Sequence, residues 1–561
     1  MTAETTTPPP LHAPTSKEKK YDRQLRLWAA SGQAALEDAH VLLVNSGCGA
    51  VGTETLKNLV LPGIGNFTVV DAATVGEEDL GVNFFLDEDS LGQSRAKCCC
   101  QLLEELNPDV QGHWIAEDIA QLVVDDRFLK PYTLILVTSP TPSSVLEIIT
   151  HHAQAYGKAI FHIHSAGFYS DFSISLPPAF PIVDTHPDPA STTDLRLLNP
   201  WPELSQLVKE QTGSLETLDD HAHGHIPYVL LLLHYLEEWK ASHDGKPPQN
   251  YGEKTKFREL VRAGTRTNNA EGGEENFDEA VAAVLKSLNP PTPSSGVKDV
   301  FAAPECAKLT TDSANFWIIA HAIRQFYETN DVLPLSGSVP DMKAQSADYI
   351  RLQNIYKTKA RKDVAEVLQT VRSLEQSLGR PKIPEQEVEA FCKGAGFVKL
   401  VRGRPLHIPK PGVRLKFNER ARFAAQELRD PETLLPIYLV FRAYDIYMES
   451  TTVKPYSGGA SLDATELYTL ATDYILKELW AENSPDFDDA ADEDVAAIKE
   501  RVEKVAKEIA RSQGGELHNI AALTGGMVAQ EVIKVVTKQY VPVDNTCVFD
   551  GIGSRTGVMR L

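Results

Sequence analysis

Three glycines, one acid and one arginine are the residues whose types and spacing promise chemistry. Gly47, Gly49 and Gly52 follow the spacing G-x-G-x-x-G directly after an apolar run, and Asp71 closes the next apolar run. In that spacing the first glycine permits a tight turn and the second lets a phosphate approach the backbone. The third lets a helix pack close against a strand. An acid at the end of the second strand suits a ribose hydroxyl. Ahead of the turn, YDRQLRLW carries Arg23 and, three residues on, Arg26. By residue type two arginines on a helix are a solvated face. The sharper reading is a docking element that carries a cation to a phosphate, which a guanidinium fork suits.

A βαβ unit is needed to hold these side chains. His40 to Asp71 reads as a buried strand over Val41–Val44, the glycine turn, a helix over Thr53–Leu61 and a second strand over Phe67–Val70, with a right-handed crossover between parallel strands. The pattern fits two readings, a fold that binds a dinucleotide-type ligand here and a fold that keeps the shape without it. TLILVTS (Thr133–Ser139), a helix from Ser143 and AIFHIHSAG (Ala159–Gly167) continue the β/α alternation. From 171 to 510 helical periodicity dominates, with Pro- or Gly-rich breaks at 245–248, 264–273, 290–296 and 381–384 and an acidic flexible segment at 482–494. The final stretch, 511–561, starts with a helix over Asn519–Lys538 in which Gly525 and Gly526 imply close backbone approach to another element. Two short strands follow, at Thr546–Phe549 and Thr556–Leu561, and return to the first domain. The resulting division is a disordered leader at 1–18, a first domain at 19–170, a mainly helical insertion at 171–510 and a return segment at 511–561.

The composition narrows the function classes. A chain of 561 residues is too long for one core. No uninterrupted apolar run of about 18 residues is present, so no membrane span is expected, and YVLLLLHYLEEW from Tyr228 reads as a core helix. Acids outnumber bases 77 to 55, a net charge of −22, which argues against a nucleic-acid-binding face. Seven cysteines and no leading apolar signal fit a reducing cytoplasm or nucleus.

Two further clusters invite a metal reading, and neither sustains it. Cys98, Cys99 and Cys100 are consecutive on a helix over Ser94–Leu106, so they point about 100° apart and cannot face one ion; they read as small packing residues. His221, His223 and His225 alternate before Pro227, where an extended segment would place them on one face. A helix entry satisfied by backbone is the expected outcome, and no metal site is expected.

YDRQLRLW, SGCGAVGTETLKNLVLPGIGNFTVVD and SLGQSRA together resemble the adenylation fold of the activating enzymes for ubiquitin-like proteins, the group that includes MoeB and ThiF. NFWIIAHAIRQF, LPLSGSVPDM, YIRLQNIYKTKARKD and VAQEVIKVVTKQ resemble one branch of it, the regulatory, auxin-resistance-type subunits of the heterodimeric enzyme that activates the Nedd/Rub modifier. The resemblance covers nearly everything after Glu18. It implies an α/β fold class, a Rossmann-like ThiF/MoeB adenylation fold split by a large, mainly helical insertion.

Active adenylating halves of that family carry an Asn-x-x-Arg pair, a Lys in a G-x-x-K-A context and an Asp after the following strand. Here Asn83 is followed by Phe84, Phe85 and Leu86, Arg95 stands at the lysine position, and Thr138, Ser139 and Pro140 follow the strand. Acyl adenylation needs cations on the triphosphate and a carboxylate for magnesium, so Gly47, Gly49, Gly52 and Asp71 are expected to preserve the fold as a vestigial cofactor site. Cys306, in PECAKL, resembles a P-x-C-T word with Ala307 in place of Thr, and is expected to be a buried structural thiol. The arginine of the family's Y-x-R-Q word reaches the partner's nucleotide phosphates, which carried onto this sequence makes Arg23 a catalytic cation acting in trans.

The implied function is a pseudo-adenylation subunit paired with a catalytic subunit that holds ATP and magnesium, adenylates the ubiquitin-like modifier and takes it as a thioester. The insertion would then shape the groove for modifier and conjugating enzyme. Two rival readings are a free-standing dinucleotide-dependent oxidoreductase built on the same glycines and Asp71, and a pure scaffold in which Arg23 is passive.

Overall fold

The computed structural model describes residues 14–187, 194–267, 273–428, 430–451, 461–483 and 493–561. Most of the expected leader and of the acidic 482–494 segment lies outside these residues. The chain divides into two compact units, 1–180 with 401–561, and 181–400.

The first unit is built on an eight-stranded sheet. Its strands are β1 (His40–Val44), β2 (Asn66–Val70), β3 (Gln111–Ile115), β4 (Leu134–Thr138), β5 (Ala159–Ala166), β6 (Tyr169–Ser175), β9 (Thr546–Asp550) and β10 (Arg555–Met559), in the spatial order β10-β9-β6-β5-β4-β1-β2-β3. β1 pairs in parallel with β2 and β4, and β3 and β5 extend the parallel part on either side. β6, β9 and β10 continue it antiparallel. β1, β2 and β4 are mostly apolar and buried apart from the first residues of β1 and β2, as strands covered by helices on both faces must be. The order reverses at β1, so the crevice beyond the carboxyl ends of β1 and β4 is the ligand-binding position of such a sheet.

Two boundaries differ from the sequence reading. β6 belongs to the sheet although it begins at 169, and 401–510 belongs to the first unit. The sequence reading ends the first domain at 170, inside β6, and places all of 401–510 in the insertion; β6 (YSDFSIS) is too polar to read as a core strand, and the helices after 421 carry ordinary amphipathic periodicity. The Leu435–Ser450 helix shows what periodicity misses: Leu435 to Tyr447 are all buried, Arg442 and Asp445 among them, and a helix buried on every side is a core element. It packs on β6 and β9, in a cluster that includes Tyr169, Val548 and Met559.

The His518–Thr537 helix is long and apolar enough to cross a membrane by composition, yet it is half buried and packs along the Ala50–Val60 helix. Gly525 sets that contact, because a Cβ there would meet the Glu54–Thr55 backbone at 2.8 Å; Gly526 faces open space and needs no such explanation.

The second unit is helical apart from a short pair at its boundary with the first, β7 (Phe180–Val183) with β8 (Val398–Val401). Its core gathers around the Tyr228–Ser242 helix, whose Leu230 to Leu233 are all buried, and the 33-residue Ser346–Leu378 helix. His223 turns inward to Glu274, 2.7 Å away, and stacks on Phe277, while the rings of His221 and His225 meet at a tilt with centroids 4.2 Å apart. The local chain is helical, so alternate histidines do not share a face. Cys306 is fully buried and burial pushes its thiol up to about 11.

Candidate functional site: the cleft at the glycine turn

A cleft of about 500 Å³ opens beyond β1, β2 and β4, lined by Asn45, Ser46, Gly47, Cys48, Asp71, Arg95, Thr141, Asp445 and Glu449 among others. Gly47 and Gly49 stand at φ 62° and 69°, the left-handed region that glycine enters without penalty, and Gly49 caps the Ala50–Val60 helix. A Cβ at Gly52 would meet Asn45 Oδ1 at 2.5 Å and Leu43 at 2.9 Å, so the third glycine is what lets the helix lie against β1.

Asp71 is not free to receive a ribose. The carboxylate, 3% exposed, accepts from Arg95 Nε at 2.8 Å and Nη2 at 3.2 Å and from Asn45 Nδ2 at 3.0 Å. Arg95 also donates through Nη1 to Asp79 at 3.0 Å. Burial alone would lower the guanidinium's pKa, but Asp71 and Asp79 outweigh it and hold it above its ordinary value. The residue at the family's lysine position therefore faces inward as a buried bridge between two acids. At the family's arginine position Leu86 packs with Val75, Cys98 and Cys99, and Asn83 lies against Thr53 and Cys99. The three cysteines of the Arg95–Glu104 helix are all buried.

The helix N-termini beside the cleft already hold carboxyl groups. The N–H groups of Ala50 and Val51 donate to Glu516 at 3.2 and 2.8 Å. Burial pushes the Glu516 carboxyl up to about 7 against the opposing pull of these N–H groups and Arg95. Across the cleft, Glu449 accepts from the N–H and hydroxyl of Ser143 at 3.0 and 2.9 Å, at the start of the Ser143–Ala155 helix. The charged lining of the cleft is Asp71, Glu78, Asp79, Glu117, Asp118, Asp445 and Glu449, against Arg95. Such a field repels a triphosphate, and Arg95, the cation in the lining, is tied to Asp71 and Asp79, so these residues do not fit ATP with magnesium.

Behind the cleft wall lies a second buried network, which the sequence reading missed. His164 on β5 reaches Asp171 on β6 at 2.8 Å and Asp445 at 2.9 Å, and Arg442 packs against it and reaches Asp171 at 3.3 Å. Burial and Arg442 push the imidazole down, but Asp445 and Asp171 outweigh them and its pKa stands above the ordinary value. Among the described residues the ligand-type side chains that converge within 4.8 Å are His162, His164 and Asp445. Arg442 Nη2 lies 2.6 Å from a ring nitrogen of His164, so a cation already occupies that cluster. Its traces in the sequence are alternate histidines on β5 and an Arg-x-x-Asp pair inside an apolar helix.

Arg23 is apart from the cleft. It is exposed on the Asp22–Glu37 helix and has no hydrogen bond or ion pair among the described residues, whereas Arg26 pairs with Asp22 at 3.1 Å. The helix is firmly seated: Tyr21 is 2% exposed and its hydroxyl accepts from Asn107 at 3.0 Å, and Gln539 donates to the Trp28 carbonyl at 3.0 Å.

A nucleotide-type crevice at a sheet's switch point, preceded by a fixed arginine-bearing helix, is the layout of an adenylation fold, and the ThiF family model matches residues 21–561. The chain belongs to the ThiF family. A Danio rerio protein named NEDD8-activating enzyme E1 regulatory subunit is 37% identical over 556 residues, covering 98% of this chain and 99% of that one. The Arabidopsis thaliana NEDD8-activating enzyme E1 regulatory subunit AXR1 is 36% identical over 552 residues, covering 97% and 96%. A solved structure of E. coli MccB with ATP aligns over 28% of this chain and 49% of its own at 18% identity, with a TM-score of 0.25. Within the ThiF family this chain groups with the NEDD8-activating enzyme E1 regulatory subunits.

Proposed function

We propose that this chain is the non-catalytic subunit of a heterodimeric activating enzyme for a NEDD8-type ubiquitin-like modifier, acting in the cytoplasm or nucleus. The names of its relatives support the pathway. One observation carries the division of labour: the cleft that would hold ATP has Asp71 tied to Arg95 and the glycine-turn N–H groups tied to Glu516. In this reading the catalytic subunit binds ATP and magnesium, adenylates the modifier and takes it as a thioester. The buried Cys306, its thiol held at about 11, is no candidate nucleophile at neutral pH.

What this chain contributes is position and one charge. Arg23 stands exposed on an anchored helix, so docking delivers a guanidinium to the partner's phosphates with its backbone already in place and only the side chain left to order. An oxidoreductase reading loses support because Asp71 would have to release Arg95 before it could accept a ribose hydroxyl. The test is ATP–pyrophosphate exchange with modifier present. The chain alone should give none, and adding the catalytic subunit should restore it; robust exchange by the lone chain would overturn the proposal.

A further inference from the structure

The cleft poses a question that the lost cations do not answer. A glycine turn that opens a helix is an anion seat whether or not a reaction is run there, and this one keeps its left-handed glycines and its helix intact. We propose that Glu516 is an intramolecular ligand that fills the phosphate seat of the glycine turn and keeps nucleotide out of this chain's cleft. The inference rests on the reading above that this cleft does not carry the adenylation.

Three observations bear on it. The two oxygens of Glu516 take one N–H each, from Ala50 and Val51, which is how two oxygens of a phosphate would use the same turn. Glu516 arrives from 465 residues away in sequence. Its place is fixed by the turn at Gly514, where φ is 71°, and by the His518–Thr537 helix that Gly525 allows against the Ala50–Val60 helix. The packing that seats the return helix thus delivers the carboxyl to the turn. The second helix N-terminus on the cleft is filled in the same manner, by Glu449 on Ser143. Two helix N-termini beside one cleft, each taken by a carboxyl group from the 401–561 segment, make a site liganded by its own chain.

The effect does not depend on full ionisation. Protonated or not, the carboxyl accepts from both N–H groups and occupies the space, and when ionised it adds repulsion toward phosphate. An adenylating site needs that seat empty until nucleotide arrives; a subunit that lends only structure is better served by a filled one, since a buried N–H left unpaired is destabilising.

The experiment compares full-length wild type with Glu516→Ala, titrated with sodium pyrophosphate by calorimetry and by thermal shift. Wild type should show no binding at millimolar pyrophosphate. The variant should bind at least about tenfold more tightly and regain thermal stability with the ligand, because the vacated N–H groups seek an anion. A folded variant that binds no better than wild type overturns the inference. Should Glu516→Ala fail to fold, Glu516→Ser takes its place: its side chain is too short to reach both N–H groups, so it also vacates the seat, and it must also bind more tightly than wild type, or the inference falls. Pyrophosphate exchange by the wild-type chain alone would instead sink the functional reading on which the inference rests.

Discussion

Arg95→Ala is the perturbation whose size the structure sets most directly. Arg95 and Asp71 are 4% and 3% exposed, and Arg95 binds both Asp71 and Asp79 through separate nitrogens. Removing one partner of a buried ion pair costs roughly 3–5 kcal/mol, mostly because the remaining charge is buried without compensation. Here two carboxylates lose their cation, although Asp71 keeps Asn45 and the Ala73 N–H, and Asp79 keeps the Gly76 N–H. About 4 kcal/mol is therefore expected. For a unit of about 340 residues, with an unfolding entropy near 2.1 cal/mol/K per residue, that is a fall in Tm of about 6 °C. Differential scanning calorimetry of the full chain reads it. Arg95→Lys should recover only part, since an ammonium cannot fork between the two acids. A loss below about 1 kcal/mol would put the pair in the range of exposed ion pairs and refute the claim that Asp71 is held away from a ribose.

Arg23→Ala should leave the heterodimer intact on gel filtration yet slow adenylate formation by roughly 10³, the scale of a trans-acting arginine; an unchanged rate returns Arg23 to the surface-charge explanation. Native-state alkylation should leave Cys306 unmodified, since it is fully buried with its thiol held at about 11; rapid labelling would contradict that burial. The folded chain holds the Glu516 proton to about pH 7, whereas an unperturbed carboxyl releases it at 4.5. Between those values the folded state binds more protons, so stability falls as pH rises. Urea melts at pH 4.5 and 7.5 should show wild type losing up to about 3 kcal/mol against Glu516→Gln over that interval, and a gap that does not change with pH would refute the burial of the charge.

Local rules carried the first part of this molecule. The apolar runs at Val41–Val44 and Phe67–Val70, the left-handed glycines between them and the small-residue return helix are each dictated within a window of about twenty residues, and each lies where its pattern places it to within a few positions. The absence of an arginine after Asn83 and of a lysine at 95 is likewise readable from the chain itself. Domain limits were less legible. β6 is a polar strand that is buried because β5 and β9 flank it, and the Leu435–Ser450 helix enters the first unit through packing that helical periodicity does not record.

What the sequence determined by itself is a nucleotide-type βαβ unit stripped of the charges that drive adenylation. Only the tertiary structure decided what became of the vacated site, because that rests on contacts between residues far apart in the chain: Arg95 on Asp71 across 24 residues, Glu449 on Ser143 across 306 and Glu516 on Val51 across 465. A buried N–H or carboxylate must find a partner somewhere, but which partner depends on how the helices of the 401–561 segment pack over the sheet, and no local pattern encodes that.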